Sequence, residues 1–404
     1  SPQDHIGTIN SSNLCTEITL NTSSDETAVC NLGSVNLAAH VGGDGLDNEQ
    51  LADTVETAMR MLDNVVDLNF YPTDRAERAN TRHRPVGLGV MGFHEMLTER
   101  GVPMASDEAL SVADETMERV AYHAVLNSSR LAKERGTYDS YEGSKWDRGL
   151  LPQDTVSLLE EERGEAVDVE VEERLDWDRV REHVSEHGMR NSNTTAVAPT
   201  ATISTIAGTT ASIEPRYSNL YATSTIPRHS TPVTHQLAEE LDELGLWTDE
   251  MLDRIKYHDG AIQEIDAIPP AIQERHRGAF EIDPRHQLEL TAQRAIWIDQ
   301  SQSHNVFFPS TDGTLLDGVY QRAWELGLKT TYYLRTLGAS QFEKSTLDMH
   351  EYGKTQTRDG ESEAATDGGR TSPPSDEADG SDACELSDGS ELPSVEDPTC
   401  EACQ

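Results

Sequence analysis

The sequence predicts an α/β fold, on three observations. Apolar residues recur at helical spacing through several segments, short strand-like runs fall between them, and glycines close two of the helical segments. Residues 1–46 are rich in Thr, Ser, Asn and Gly and read as loop and short strands. Residues 47–69 read as a helix: Asp47 and Gln50 suggest a capping box, and Leu51, Val55, Met59, Leu62 and Val66 share one face. Residues 108–135 form a second long helix, with Lys133 and Arg135 in its last turn and Gly136 as its stop. The acid-rich stretch 159–175 reads as a surface excursion. Residues 177–187 are helical, and 194–213 form a Thr/Ala/Ser/Ile tract. Helices are expected at 232–246, 286–300 and 312–326, the last closed by Gly327, and a strand at 329–335. From 349 onward the composition collapses to Gly, Ser, Asp, Glu, Thr and Pro, with 15 acidic and three basic residues. That stretch predicts a disordered acidic tail, 349–404, behind an ordered part, 1–348. No internal repeat is visible.

The charge narrows the function classes. The 404 residues carry 73 acidic side chains and a net charge of −41, and only six lysines. Such a surface repels nucleic-acid backbones and anionic membranes. No apolar run approaches the roughly 20 residues that span a bilayer. Diffuse acidity suits a salt-rich cytoplasm that screens self-repulsion; the alternative is an acidic protein with a basic partner. Cys15, Cys30, Cys384, Cys400 and Cys403 are too few and too scattered for a secreted disulfide framework, so thiols in a reducing compartment are expected. The chain starts at Ser1, with chemistry within 20 residues. That predicts a C-terminal piece of a longer polypeptide, cut at an intein junction or encoded by a split gene.

Candidate chemistry starts at Asn13-Leu14-Cys15-Thr16-Glu17. In an extended segment Asn13, Cys15 and Glu17 share a face, while Leu14 and the Thr16 methyl turn into packing. An amide, a thiol and a carboxylate together can orient hydroxyls, act through sulfur and move a proton; an ordinary buried strand cysteine is the plain alternative. Cys30 could pair with Cys15, pair with a cysteine elsewhere, or simply fill space. Gly87-Leu88-Gly89-Val90-Met91-Gly92 matches a dinucleotide-binding pattern, but no apolar strand precedes it and no βαβ unit surrounds it, so close packing at a helix start is expected. Pro199, Thr200, Ala201, Thr202, Ile203 and Ser204 open a hydroxyl-dense run that could cradle a phosphate at a helix start, or pack closely. Tyr332 and Tyr333 could relay a proton-coupled electron or serve as core. Cys400-x-x-Cys403 could be a tethered dithiol; with only Cys384 nearby it lacks the four ligands of a structural zinc site, so no metal site is expected.

Together these segments, with Cys30-Asn31-Leu32-Gly33-Ser34, Arg190-Asn191-Ser192, Ile213-Glu214-Pro215 and Thr331 to Thr336, resemble the C-terminal portion of the large, catalytic subunit of class I ribonucleotide reductases. The resemblance implies part of a ten-stranded α/β barrel, its C-terminal half. It implies that Cys15 becomes a thiyl radical that takes the ribose 3′-hydrogen, that Glu17 takes the 3′-hydroxyl proton and that Asn13 binds substrate hydroxyls. Cys30 matches one member of the reducing cysteine pair, and 199–204 the substrate phosphate cradle. Tyr332 and Tyr333 match a radical relay, and Cys400 and Cys403 the dithiol that re-reduces the site. The implied substrate is a ribonucleoside diphosphate. The implied partners are a metal-containing small subunit, a thioredoxin-like reductant, an upstream half of the same enzyme and a second large subunit. Nucleotide effectors (ATP and deoxynucleotides) would bind upstream of this chain. No cofactor is expected on the chain itself. An adenosylcobalamin-dependent class II reductase, or an inactive fragment that docks to its missing half, are the alternatives. The family's other redox cysteine has no counterpart before Cys15, so the isolated chain is expected to be inactive.

Overall fold

The computed structural model describes residues 1–43, 45–220 and 233–336. The expected tail, its boundary at 348/349, and Cys384, Cys400 and Cys403 lie outside the described residues.

Strand β1 (Asn31–Asn36) is followed by a short hairpin, β2 (Val41–Gly42) and β3 (Gly45–Leu46), and then by helix α1 (Asn48–Leu68). Asp47 accepts from Gln50 N at 3.0 Å, but the reciprocal half of a capping box is displaced, because Asp47 N donates to His40 O at 2.7 Å. Leu51, Val55, Met59, Leu62 and Val66 are buried, as helical spacing predicts. Helix α2 (Asp74–His83) leads into β4 (Val86–Met91), buried along its length, then α3 (Phe93–Glu99) and α4 (Asp107–Arg135). Gly136 ends α4 at φ 85°. Next come α5 (Asp154–Arg163), α6 (Trp177–His187) and α7 (Ala201–Ala207). The stretch 159–175 is thus partly helix and not merely surface: Val167 is buried, and Arg174 N donates to Glu118 of α4 at 2.7 Å. Helices α8 (His235–Glu243), α9 (Asp249–Tyr257) and α10 (Pro270–Arg275) form their own apolar cluster around Leu237, Leu241, Ile255 and Ile265. Helix α11 (Pro284–Ala295), β5 (Val306–Phe308), α12 (Gly313–Glu325) and β6 (Leu334–Thr336) complete the described chain.

Apart from the antiparallel β2–β3 hairpin, the described strand pairs are parallel. β1 pairs with β4 in parallel register, Asn31 opposite Val86 through Asn36 opposite Met91. β4 joins the segment 194–197 by a parallel bridge at Leu88 and Thr195, and 194–197 joins 300–303 by another at Val197 and Gln302. β5 and β6 form a further parallel pair. Parallel neighbours need long crossovers, and here helices supply them. The main core packs β1, β4 and the 194–197 segment on α1, α4, α6 and α11, and β5 packs with α11 and α12 in a separate cluster.

The glycines of β4 serve close packing, as expected, but of a strand as much as a helix start. A Cβ on Gly89 would sit 2.4 Å from Ala196 O, and one on Gly87 2.8 Å from the Ala196 side chain. Gly92 caps α3 at φ 72°. Two further expectations need correction. The helix drawn over 286–300 stops at Ala295, so 300–303 is extended. Of the strand expected at 329–335 only Leu334 and Arg335 are ladder-paired, in a strand that runs on to Thr336, while Tyr332 and Tyr333 bond to His304 and Val306 ahead of it.

Candidate active site

Asn13 and Glu17 meet through a turn, not through an extended strand, and the Cys15 thiol between them bonds to Tyr332. Thr16 N donates to Asn13 O at 3.2 Å, and Thr16 stands at φ 68°. Left-handed backbone is costly for a β-branched residue. The surrounding structure holds it there: Thr330 Oγ1 donates to Thr16 O at 2.9 Å, and Ser301 N to Glu17 O at 2.9 Å. The turn leaves Leu14 at the tip, 70% exposed, where alternation had placed it in packing. Period-two alternation applies only to extended backbone.

Glu17 is buried, and its Oε2 accepts from Asn13 Nδ2 at 2.8 Å. Asn13 Oδ1 accepts from Ile18 N at 3.1 Å, which fixes the amide with its NH2 toward the carboxylate. Ser303 Oγ lies 3.0 Å from Glu17 Oε2 and also within bonding reach of Cys15 O. A hydroxyl has one proton, so Ser303 can donate to only one of them at a time.

Cys15 Sγ donates to Tyr332 Oη at 3.3 Å. The rings of Tyr332 and Tyr333 stack with centroids 4.0 Å apart and planes 28° apart. The Arg335 guanidinium lies 4.9 Å from the Tyr333 ring centre. Tyr332 N donates to His304 O and Val306 N to Tyr333 O, both at 2.8 Å, which anchors the pair. Burial, and then the bonds to Cys15 and Tyr333, push the Tyr332 phenol far above the ordinary tyrosine range.

Cys30 is a thiol just ahead of β1, and Gln300 Nε2 donates to its sulfur at 3.3 Å. Burial pushes this thiol up to about 12; the Gln300 bond opposes that rise, and the charges of Asp299 and Glu17 add to it. Gln300 Oε1 also accepts from Thr19 N, in the segment that follows Glu17. One buried amide therefore links the Cys30 sulfur to the Cys15 loop.

The tract 199–204 makes the expected helix start, at α7, with different hydroxyl duties. Thr200 Oγ1 accepts from Ser212 N at 2.7 Å, and Ser204 Oγ donates to Thr200 O at 2.7 Å, so both hydroxyls turn inward. Thr202 and Ile203 are exposed, as is Pro199, while Ala201 is half-buried. Thr200 caps with no side-chain bond. The first-turn N–H groups of Ala201, Thr202 and Ile203 therefore have no carbonyl partner inside the helix.

Four site residues escaped the sequence reading: Gln300, Ser303, Thr330 and Glu214. Gln300 fell at the end of the helix expected over 286–300, and Ser303 just beyond it. The signal for them was present, since 299–305 is an unbroken polar run between the apolar segments 296–298 and 306–308. Glu214 stood in a motif without a role. Burial raises its carboxyl to about 7, against the Asn305 backbone and side-chain N–H groups that donate to it.

Parallel strands joined by helices, with a loop whose thiol bonds to one of two stacked phenols, define an α/β domain that sets a cysteine beside a tyrosine pair. A family profile described as "Ribonucleotide reductase, barrel domain" matches residues 1–334. The chain belongs to this family. It is 52% identical over 354 residues to the ribonucleoside-diphosphate reductase subunit alpha of Chlamydia pneumoniae, covering 87% of this chain and 34% of that protein. It is 36% identical over 352 residues to the large subunit of Caenorhabditis elegans, covering 87% of this chain and 43% of that one. Among solved structures, the class Id ribonucleotide reductase alpha subunit of Actinobacillus ureae superposes with a TM-score of 0.65 at 28% identity, over 84% of this chain and 55% of that chain. The chain spans about a third of the length of the first of these relatives.

Proposed function

We propose that this chain is the catalytic-loop portion of a class I ribonucleotide reductase large subunit, which reduces ribonucleoside diphosphates to deoxyribonucleotides. The observation that carries the reading is the contact of the Cys15 thiol with a stacked tyrosine pair. The hydrogen bond between the Cys15 thiol and the Tyr332 phenol gives proton and electron a path to move together between the two. The radical originates in a metal-containing small subunit. The Cys15 thiyl then takes the 3′-hydrogen: an S–H bond forms as a C–H bond breaks. Glu17, held by Asn13 and Ser303, accepts the 3′-hydroxyl proton, and the 2′-hydroxyl takes a proton from a thiol of the reducing pair and leaves as water. Two electrons come from a cysteine pair of which Cys30 is one member. The uncapped start of α7, with the N–H groups of Ala201, Thr202 and Ile203, supports a phosphate cradle at 199–204. A closed barrel suits the chemistry because it keeps water and solutes from a reactive sulfur.

In this reading residues 1–348 form the barrel portion, and 349–404 carry Cys400 and Cys403 as a tethered dithiol. That dithiol reduces the site and is itself reduced by a thioredoxin-like protein. The large subunit works as a homodimer in a salt-adapted cytoplasm. The relatives' names favour this reading over the cobalamin alternative, since each is a ribonucleoside-diphosphate reductase.

The test is deoxynucleotide formation by the full-length polypeptide, carrying this segment, assembled with its small subunit. Wild type is expected to turn over, while Cys15→Ser and Tyr332→Phe lose at least about a thousandfold, an order set by loss of a covalent catalytic group. Turnover that survives Tyr332→Phe would remove the relay. The chain 1–404 alone is expected to form no product.

A further inference from the structure

We propose that Gln300 is a positioning residue for the Cys30 thiol, aiming an amide N–H at its sulfur and stabilising the thiolate that this cysteine must form to exchange with a disulfide. The inference deepens the proposed function, because it rests on Cys30 as a redox thiol.

The geometry leaves the amide little choice. Gln300 is fully buried. Its Oε1 accepts from Thr19 N at 3.3 Å, and its Nε2 donates to Val86 O at 3.2 Å and to Cys30 Sγ at 3.3 Å. Flipping the amide would set its oxygen against the Val86 carbonyl and its NH2 against the Thr19 N–H, two mismatches in a dry place. One N–H is thereby locked onto the sulfur. The sulfur accepts this bond, so its own proton points elsewhere; Asn31 O is 3.9 Å away.

The surroundings make that bond matter. A thiolate at Cys30 faces desolvation and the negative charges of Asp299 and Glu17, and Gln300 supplies the one opposing contribution. The sulfur packs on the strand at Gly87, where an added Cβ would lie 3.4 Å from it. Gln300 also belongs to the segment whose next residues hold the Cys15 loop, through Ser301 N on Glu17 O and Ser303 on Cys15 O. The same run of backbone thus orients the radical cysteine's loop and the redox cysteine.

The experiment is alkylation of the reduced chain by iodoacetamide at pH 8. The Cys30 thiolate displaces iodide: an S–C bond forms, a C–I bond breaks, and the thiol proton goes to buffer. Cleavage after Glu17 and Glu26 separates Cys15 from Cys30, so mass spectrometry reads each rate in the same sample. Gln300→Met keeps the shape and removes the donor. Gln300→Glu keeps the size and replaces the donor with an acceptor. Loss of the bond raises the thiol by about one unit, which cuts the thiolate fraction about tenfold. Greater intrinsic nucleophilicity returns about threefold of that. The expected result is Cys30 alkylation about threefold slower in both variants, with Cys15 unchanged. Local loosening of the fold has the opposite sign, because it speeds both cysteines. A Cys30 rate that stays level or rises in both variants overturns the proposal. Normal Gln300 coupling in an enzyme that turns over without Cys30 would instead overturn the redox reading of that cysteine.

Discussion

Glu214 shows how a single residue acquires a property its type does not have. The carboxyl sits between the 199–213 tract and the tyrosine segment, accepting from Asn305, and burial raises it to about 7 from 4.5. Between those values the folded protein keeps a proton that the unfolded chain has released. Stability therefore falls as pH rises through that window and levels off above it. Glu214→Gln retains the acceptor oxygen and removes the titration. Its urea midpoint at pH 8 is expected to exceed wild type by the equivalent of up to about 3 kcal/mol, with the gap closing below pH 4.5. An equal gap at both pH values would show that the gain is not electrostatic. Nothing in Ile213-Glu214-Pro215 announced this, because a carboxyl's setting is decided by what closes over it. Asn13, Cys15 and Glu17, by contrast, were visible as types at a spacing. Asn13 and Glu17 do meet, through a left-handed turn at Thr16 in place of an extended segment, while the Cys15 thiol turns to Tyr332.

At the scale of elements, legibility followed length and capping. α1, α4 and α6 match their expected spans because each combines a helical apolar period with a start or stop residue. α2, α3, α5, α9 and α10 were not expected: each is at most ten residues long, so few apolar positions mark its period. β4 was the instructive miss. Its glycines suggested a helix start, yet Gly89 lets the 194–197 backbone approach and Gly87 makes room for the Leu32 and Ala196 side chains. Gly89→Ala puts a methyl onto the Ala196 carbonyl, where only strand movement can relieve the clash. We expect at least about 2 kcal/mol of destabilisation by urea unfolding. A neutral result would mean that the 194–197 segment can slide, and that the positions of Thr194, Thr195 and the tract beyond them are not set by β4.

For the whole molecule, the net charge of −41 dominates. The described structure offsets some of it with clustered arginines: Asp63 of α1, fully buried, bonds Arg84 and Arg135 and lies 3.3 Å from Arg190. Most acids remain on the surface, where repulsion is long-ranged at low salt and collapses as the Debye length shrinks from about 10 Å at 0.1 M to about 3 Å at 1 M. The thermal midpoint of the chain is expected to rise steadily as KCl goes from about 0.1 M to about 2 M. A flat or falling midpoint would remove salt adaptation as the explanation of the composition.

By itself the sequence determined the α/β class, the long helices and the identity of the chemical groups, because periodicity, caps and residue types are local properties of the chain. It also carried the family, through motifs in a particular order. The tertiary structure decided which groups meet. Cys15 reaches Tyr332 across more than 300 residues, Gln300 reaches Cys30 across 270, and Ser303 closes on Cys15 and Glu17. Contacts of that separation depend on how parallel strands are ordered and how far each helix runs before its segment turns extended. No local period encodes either.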